Sequence, residues 1–123
     1  MAFMIYSTDD GRIPAWEYHK VTPGSNLKVG KILSYGDGGL LTAGSKFDFI
    51  CMRDVQSVGE DEIIPVVPIT AGLVLEAPVS NGSAQIGYGI LPGNGNIAAE
   101  PASSGGHGKI VAIPEEGYVR VRF

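Results

Sequence analysis

The sequence has little charge, one cysteine and no long apolar run. Charged residues are 18% of the 123 residues, and 13 acidic against 9 basic side chains give a net charge of −4. This balance argues against nucleic acid as a partner, because such binders neutralise phosphates with clustered lysine and arginine. Every apolar run is shorter than the roughly 18 residues that span a bilayer. We therefore expect neither nucleic-acid nor membrane binding.

The single Cys51 excludes an internal disulfide and a cysteine-based metal cluster. A lone thiol is typical of proteins that work in a reducing interior. The first residues carry no positively charged stretch, and their apolar run stops at Asp9, so the sequence predicts no secretory signal. We therefore expect a protein that is not secreted by this route.

Glycine is abundant, with 18 residues, and eight prolines accompany it. Both interrupt helices and favour turns, and no segment of about ten residues has the apolar period of a helix. Short alternating runs between these turns predict an all-β fold, a small barrel or sandwich of about eight to ten short strands. The runs predicted as strands are Trp16–Val21, Lys28–Leu33, Leu40–Thr42, Lys46–Arg53, Ile63–Ile69, Leu73–Val79, Gln85–Leu91, Lys109–Ile113 and Tyr118–Phe123.

Two of these runs allow finer predictions. In Lys46–Arg53 the alternation places Phe47, Phe49 and Cys51 on one face, while a second apolar face predicts a central strand that is covered on both sides. In Ile63–Ile69 two prolines remove ladder donors, which favours an edge or bulged strand.

The chain divides into residues 1–15 and a single β-domain of residues 16–123. The turn-rich stretch from Asp9 to Pro14 separates the short apolar head from the rest. One interpretation is an N-terminal arm in which Phe3, Ile5 and Tyr6 contact a partner. An edge strand that completes the protein's own sheet fits the same residues, and the sequence leaves both alternatives open.

Two aromatic residues at the start of the β-domain are further candidates for partner binding. Alternation places Trp16 and Tyr18 on the same face of a strand, where they could stack on a sugar ring or fill a pocket of a partner. Packing in the protein's own core is the favoured alternative for both side chains.

The sequence offers no catalytic, cofactor-binding or metal-ligating set. His19 and His107 are the only histidines, and neither has a second ligand at a suitable spacing. The stretch Ser103–Lys109 resembles a phosphate loop but lacks its first glycine and its hydroxyl residue. The acidic run Glu60–Glu62 is typical of a solvated turn, and the alternation around Cys51 predicts a buried thiol.

The order of short motifs along residues 20–123 resembles a family of phage proteins. The motifs are Val21–Gly24, Leu27–Leu33, Gly39–Ala43, Phe49–Met52, Ile63–Val66, Leu73–Glu76, Gly108–Ile113 and Val119–Phe123. Their succession is similar to that of small all-β structural proteins of tailed phages and prophages of Gram-positive gut bacteria, which resemble capsid decoration or head-stabilising proteins.

This resemblance implies a virion protein that is made in the cytoplasm of a bacterial host, works by adhesion and is not an enzyme. Its expected partners are the major capsid protein or other virion subunits, and its expected assembly is a homo-oligomer, most simply a trimer. Exposed sheet edges and apolar patches also favour an oligomer. A small ligand- or carbohydrate-binding β-module is the alternative function, and an enzyme of another kind comes third.

Overall fold

The computed structural model describes residues 2–9, 11 and 14–123 and confirms an all-β fold. This part of the chain forms eleven short strands and one three-residue 3-10 turn, Asp37–Gly39. The strands are β1 (Met4–Thr8), β2 (Glu17–Lys20), β3 (Ile32–Tyr35), β4 (Leu41–Thr42), β5 (Phe49–Cys51), β6 (Ile63–Pro68), β7 (Leu73–Pro78), β8 (Gly89–Gly93), β9 (Ala98–Ala102), β10 (Lys109–Ala112) and β11 (Tyr118–Arg122).

The strands form three sheets of antiparallel neighbours. The first has the order β1-β7-β11-β10, the second the order β2-β6-β5-β3-β4, and β8 and β9 form a hairpin. The second sheet curls so far that Val21, directly after β2, bridges Leu41 of β4. The result combines a sandwich-like arrangement of sheets with a curled half-barrel.

Two apolar cores hold these sheets together. The larger lies between the sheets and contains Phe3, Ile32, Phe47, Ile50, Val67, Leu73, Leu75, Ala77, Ile90, Ala99, Ile110, Val119 and Val121. The smaller lies inside the curled sheet and contains Val21, Leu27, Leu33, Leu41, Phe49, Cys51, Val58, Ile64 and Val66. Alternate residues of the curled sheet therefore point into different cores, as the two faces of a strand require.

The predicted central strand is confirmed, with one correction. In β5 Phe49 and Cys51 point into the smaller core, and Ile50 points into the larger one. Phe47 was expected on the face of Phe49, but it joins the larger core. The strand begins only at Phe49, so regular alternation does not extend back to Phe47.

The expectation of an edge strand at Ile63–Ile69 is wrong, because β6 lies between β2 and β5. Both prolines lie where a neighbouring strand has ended. The Pro65 carbonyl accepts a hydrogen bond from Met52, one residue beyond β5. Pro68 lies two residues past Val66, which pairs with the first residue of β2. Neither proline therefore removes a donor from a regular ladder.

The sequence predicted the C-terminal strands well and the segment before them poorly. Val119 and Val121 are buried, and the backbone N–H of Phe123 donates to the carbonyl of Leu73, so the chain end is held in place. Ala98–Ala102 was not predicted as a strand, because alanine and proline have little β propensity. It forms β9 through its pairing with β8.

The N-terminal residues form an edge strand, so the alternative of a separate arm is wrong. β1 pairs with β7 in an antiparallel register that contains a bulge between Ile5 and Ser7. Phe3 is 1% exposed, and its backbone packs so closely on Gly30, at φ +90°, that a side chain at position 30 would collide with it. In the turn expected at Asp9–Pro14, residues Asp10, Arg12 and Ile13 lie outside the described part of the chain.

Candidate functional site

An apolar groove runs beside β1 and encloses about 510 Å³. One wall is formed by residues 5–8 of β1, and the other by Pro14 and Trp16, which lead into β2. Met52, the residue after β5, also lines it. Ile5 and Met52 are half-buried and pack against the larger core, so the apolar lining of the groove continues into that core.

The two arginines of β11 on the outer sheet face hold the β1 side of this groove. The guanidinium of Arg120 lies 4.0 Å from the centre of the Tyr6 ring, and its Nε donates to Glu76 at 2.9 Å. Arg122 forms an ion pair with Asp9, just after β1. Because β7 lies between β1 and β11, both contacts reach across a strand, and the Arg120 contact positions the Tyr6 ring.

Trp16 directly precedes β2, and Tyr18 lies on the face of β2 opposite His19. The His19 ring packs 4.8 Å from the ring of Phe49, at the rim of the smaller core. Alternation therefore directs Tyr18 to the other face, where it is 65% exposed, and Trp16 is 50% exposed. Packing in the protein's own core was the favoured alternative for these two residues, and the structure contradicts it.

The five candidate partner-binding residues are only partly brought together. Ile5, Tyr6 and Trp16 line the same groove. Tyr18 lies two residues beyond Trp16 along the same face, outside the groove lining. Phe3 belongs to the larger core, so the expectation that it contacts a partner is wrong: its side chain has no exposed surface to offer. No sequence pattern indicates the contribution of Met52, since only the fold brings the end of β5 beside β1.

The Cys51 thiol is buried, and side chains of the acidic turn form ion pairs with neighbouring basic residues. Cys51 is fully buried; burial raises the pKa of its thiol, and its Sγ donates to the Arg53 carbonyl at 3.2 Å. In the acidic turn Glu62 pairs with Arg53 at 3.0 Å and Asp61 with Lys20 at 3.5 Å. A raised pKa keeps the thiol protonated at neutral pH, and protonated thiols are poor nucleophiles.

Outside the groove, the chain offers a more polar cleft of about 560 Å³ between the loop 79–84 and the turn 113–117. Among the described residues, no group of three or more histidine, cysteine or carboxylate side chains is arranged to hold a metal ion. The described residues also contain no helix with the length and apolar character to cross a membrane. No protein-family model matches the chain, and no curated protein is similar to it in sequence.

Proposed function

We propose that the chain is a structural protein of a phage or prophage virion, which decorates or stabilises a capsid by binding its protein subunits. The order of short motifs supports the family, and the exposed Trp16 in the wall of an apolar groove is the observation that carries the binding mode. Tryptophan and tyrosine dominate the binding energy of protein interfaces when a partner covers them. Such surface is costly to leave in water, which favours a covering partner.

In the proposed mechanism the groove receives an apolar side chain of the major capsid protein, and Tyr6 and Trp16 close around it. Complete burial of a side chain of leucine size contributes about 1.5–3 kcal/mol. A binding free energy of this size gives only weak attachment through a single groove. In the trimer that the resemblance implies, three grooves bind neighbouring capsid subunits at once, and multivalent binding strengthens attachment by about 10²- to 10⁴-fold.

Co-sedimentation with assembled capsids tests this function. If genes for a portal, a protease and a major capsid protein accompany this gene, that capsid protein is the partner to assemble. We expect the wild-type chain to pellet with the capsids and Trp16→Ala to stay in the supernatant. Ile86→Ala is the matched control, because it removes an exposed apolar side chain that does not line the groove. Equal binding of the two variants would remove Trp16 from the proposed mechanism.

The trimer is tested separately by sedimentation equilibrium of the free chain. At tens of micromolar we expect a mass three times the 12.9 kDa of one chain. A monomer at this concentration that also binds capsids as a monomer would contradict the multivalent attachment, while leaving the groove contact to be judged by the capsid experiment.

Sugar binding is the second candidate function. It is favoured by the exposure of both Trp16, directly before β2, and Tyr18 within it, since aromatic rings stack on the apolar faces of sugar rings. A glycan array distinguishes the two functions. Saturable binding to one class of glycan that is lost in Trp16→Ala and kept in Ile86→Ala would favour the sugar-binding function.

A further inference from the structure

The turn between β8 and β9 has an unusual backbone. Asn94, Gly95 and Asn96 follow one another with φ values of 49°, 71° and 65°, all in the left-handed region. Successive residues of one helical conformation direct their N–H groups towards the same end of the turn, as in the first turn of a helix. Within the described residues, the N–H groups of Gly95, Asn96 and Ile97 donate no hydrogen bond to the protein.

The Asn96 side chain holds this turn in place. Its Nδ2 donates to the carbonyls of Ile32 and Gly44 at 3.0 and 2.8 Å, and the backbone carbonyl of Asn96 accepts from the Ile32 N–H at 2.9 Å. Both Nδ2 hydrogens are therefore used, and the turn is fixed to the start of β3. The neighbouring N–H groups are thus prearranged, so a ligand would not have to order them.

Two lysines line a cleft together with residues of this turn. Lys28 and Lys31 line a cleft of about 190 Å³ together with Asn26, Asn94, Gly95 and Ile97. None of these described lining residues is acidic, although the whole chain carries a net charge of −4. Lys31 Nζ is 3.0 Å from the Asn26 carbonyl, which positions its ammonium group. The nearby carboxylate of Asp54 accepts the Val29 N–H at 2.8 Å.

From this juxtaposition we infer that the cleft binds a phosphate group. Ammonium groups and unpaired backbone N–H groups on a turn together form the usual protein cradle for oxyanions. A phosphate carries more acceptor oxygens and more charge than a carboxylate, so it uses more of the donors that this cleft presents. The site is separate from the groove beside β1 and independent of the proposed function.

A titration followed by amide NMR tests the site, at constant ionic strength maintained with chloride. The probes are inorganic phosphate, glycerol phosphate and, as a carboxylate, acetate. We expect saturable shifts of the Gly95, Asn96 and Ile97 amide signals with both phosphates, and at least tenfold weaker binding of acetate. The relative affinities of the two phosphates distinguish a site for the free ion from a site for a phosphomonoester.

The double variant Lys28→Gln/Lys31→Gln is expected to weaken phosphate binding by at least about tenfold, the loss of two charge-assisted bonds. Lys46→Gln, which removes an exposed lysine outside this cleft, is the matched control and keeps the affinity. No saturable shift at about 50 mM phosphate, where even millimolar sites are filled, would overturn the inference. Equal binding by the double variant, or acetate binding as tight as phosphate binding, would do so as well.

Discussion

Replacing Phe3 with alanine removes the aromatic side chain that lies between the sheets directly before β1. The ring is almost completely buried and meets the Phe47 ring edge-on, with 5.7 Å between the centroids. Large-to-small replacements of core phenylalanine cost about 3–5 kcal/mol. Because Phe3 directly precedes an edge strand, whose backbone can partly collapse into the cavity, we expect about 3 kcal/mol. For a chain of this length, that lowers Tm by about 10–15 °C.

Urea unfolding followed by far-UV circular dichroism measures this cost. Met4→Ala is the matched control, because Met4 is the next residue and is 59% exposed on the outer face of the same sheet. Its replacement should change the free energy of unfolding by no more than about 0.5 kcal/mol. If Phe3→Ala proved as mild as Met4→Ala, β1 would not be part of the fold and the alternative of a separate arm would return.

Three further predictions concern other contacts. Arg120→Ala should lower the free energy of unfolding by about 1–2 kcal/mol in urea melts, because it breaks the ion pair with Glu76 and the contact with the Tyr6 ring. An unchanged urea midpoint would contradict the role of Arg120 in holding β1. Asn96→Ala should lower the free energy of unfolding by about 2–4 kcal/mol in the same assay, because two backbone carbonyls lose their donor and alanine must adopt a positive φ. A loss below about 1 kcal/mol would contradict the role of Asn96 in holding the turn. Cys51 should react with a thiol reagent at about pH 8 only as fast as the chain unfolds, because burial shields the thiol and its raised pKa keeps it protonated. Rapid labelling of the native protein would contradict the burial of this thiol.

The fold class follows from the sequence because turns and alternation are local signals. The alternation in β11 and within β5 is strong, since both strands face an apolar core, and both were predicted correctly, whereas Phe47, before β5, was assigned to the wrong face. The position of β6 could not be predicted in the same way. Whether Pro65 removes a ladder bond depends on where the neighbouring strand ends, which is a property of the assembled sheet.

The candidate site was only half predictable for a similar reason. Aromatic residues at alternating positions identify Trp16 and Tyr18 as a pair, but alternation alone does not say which face of β2 is covered. The structure answers this through His19, which packs on Phe49 and so marks the covered face. Phe3 and Tyr6 are both aromatic residues of the same short apolar run. Only the pairing of β1 with β7 shows that Phe3 is buried in the core and that Tyr6 is exposed.

Hydrogen exchange of the chain bound to capsids tests the proposed binding surface most directly. In the free protein the Tyr18 N–H points away from β6, because Tyr18 lies opposite Pro65, whose carbonyl is directed to Met52. It should therefore exchange quickly. On capsids, exchange should slow at Tyr18 and in residues 5–8, while Ile86 keeps its rate. Slowing confined to another surface, such as the loop 79–84, would contradict binding through the groove.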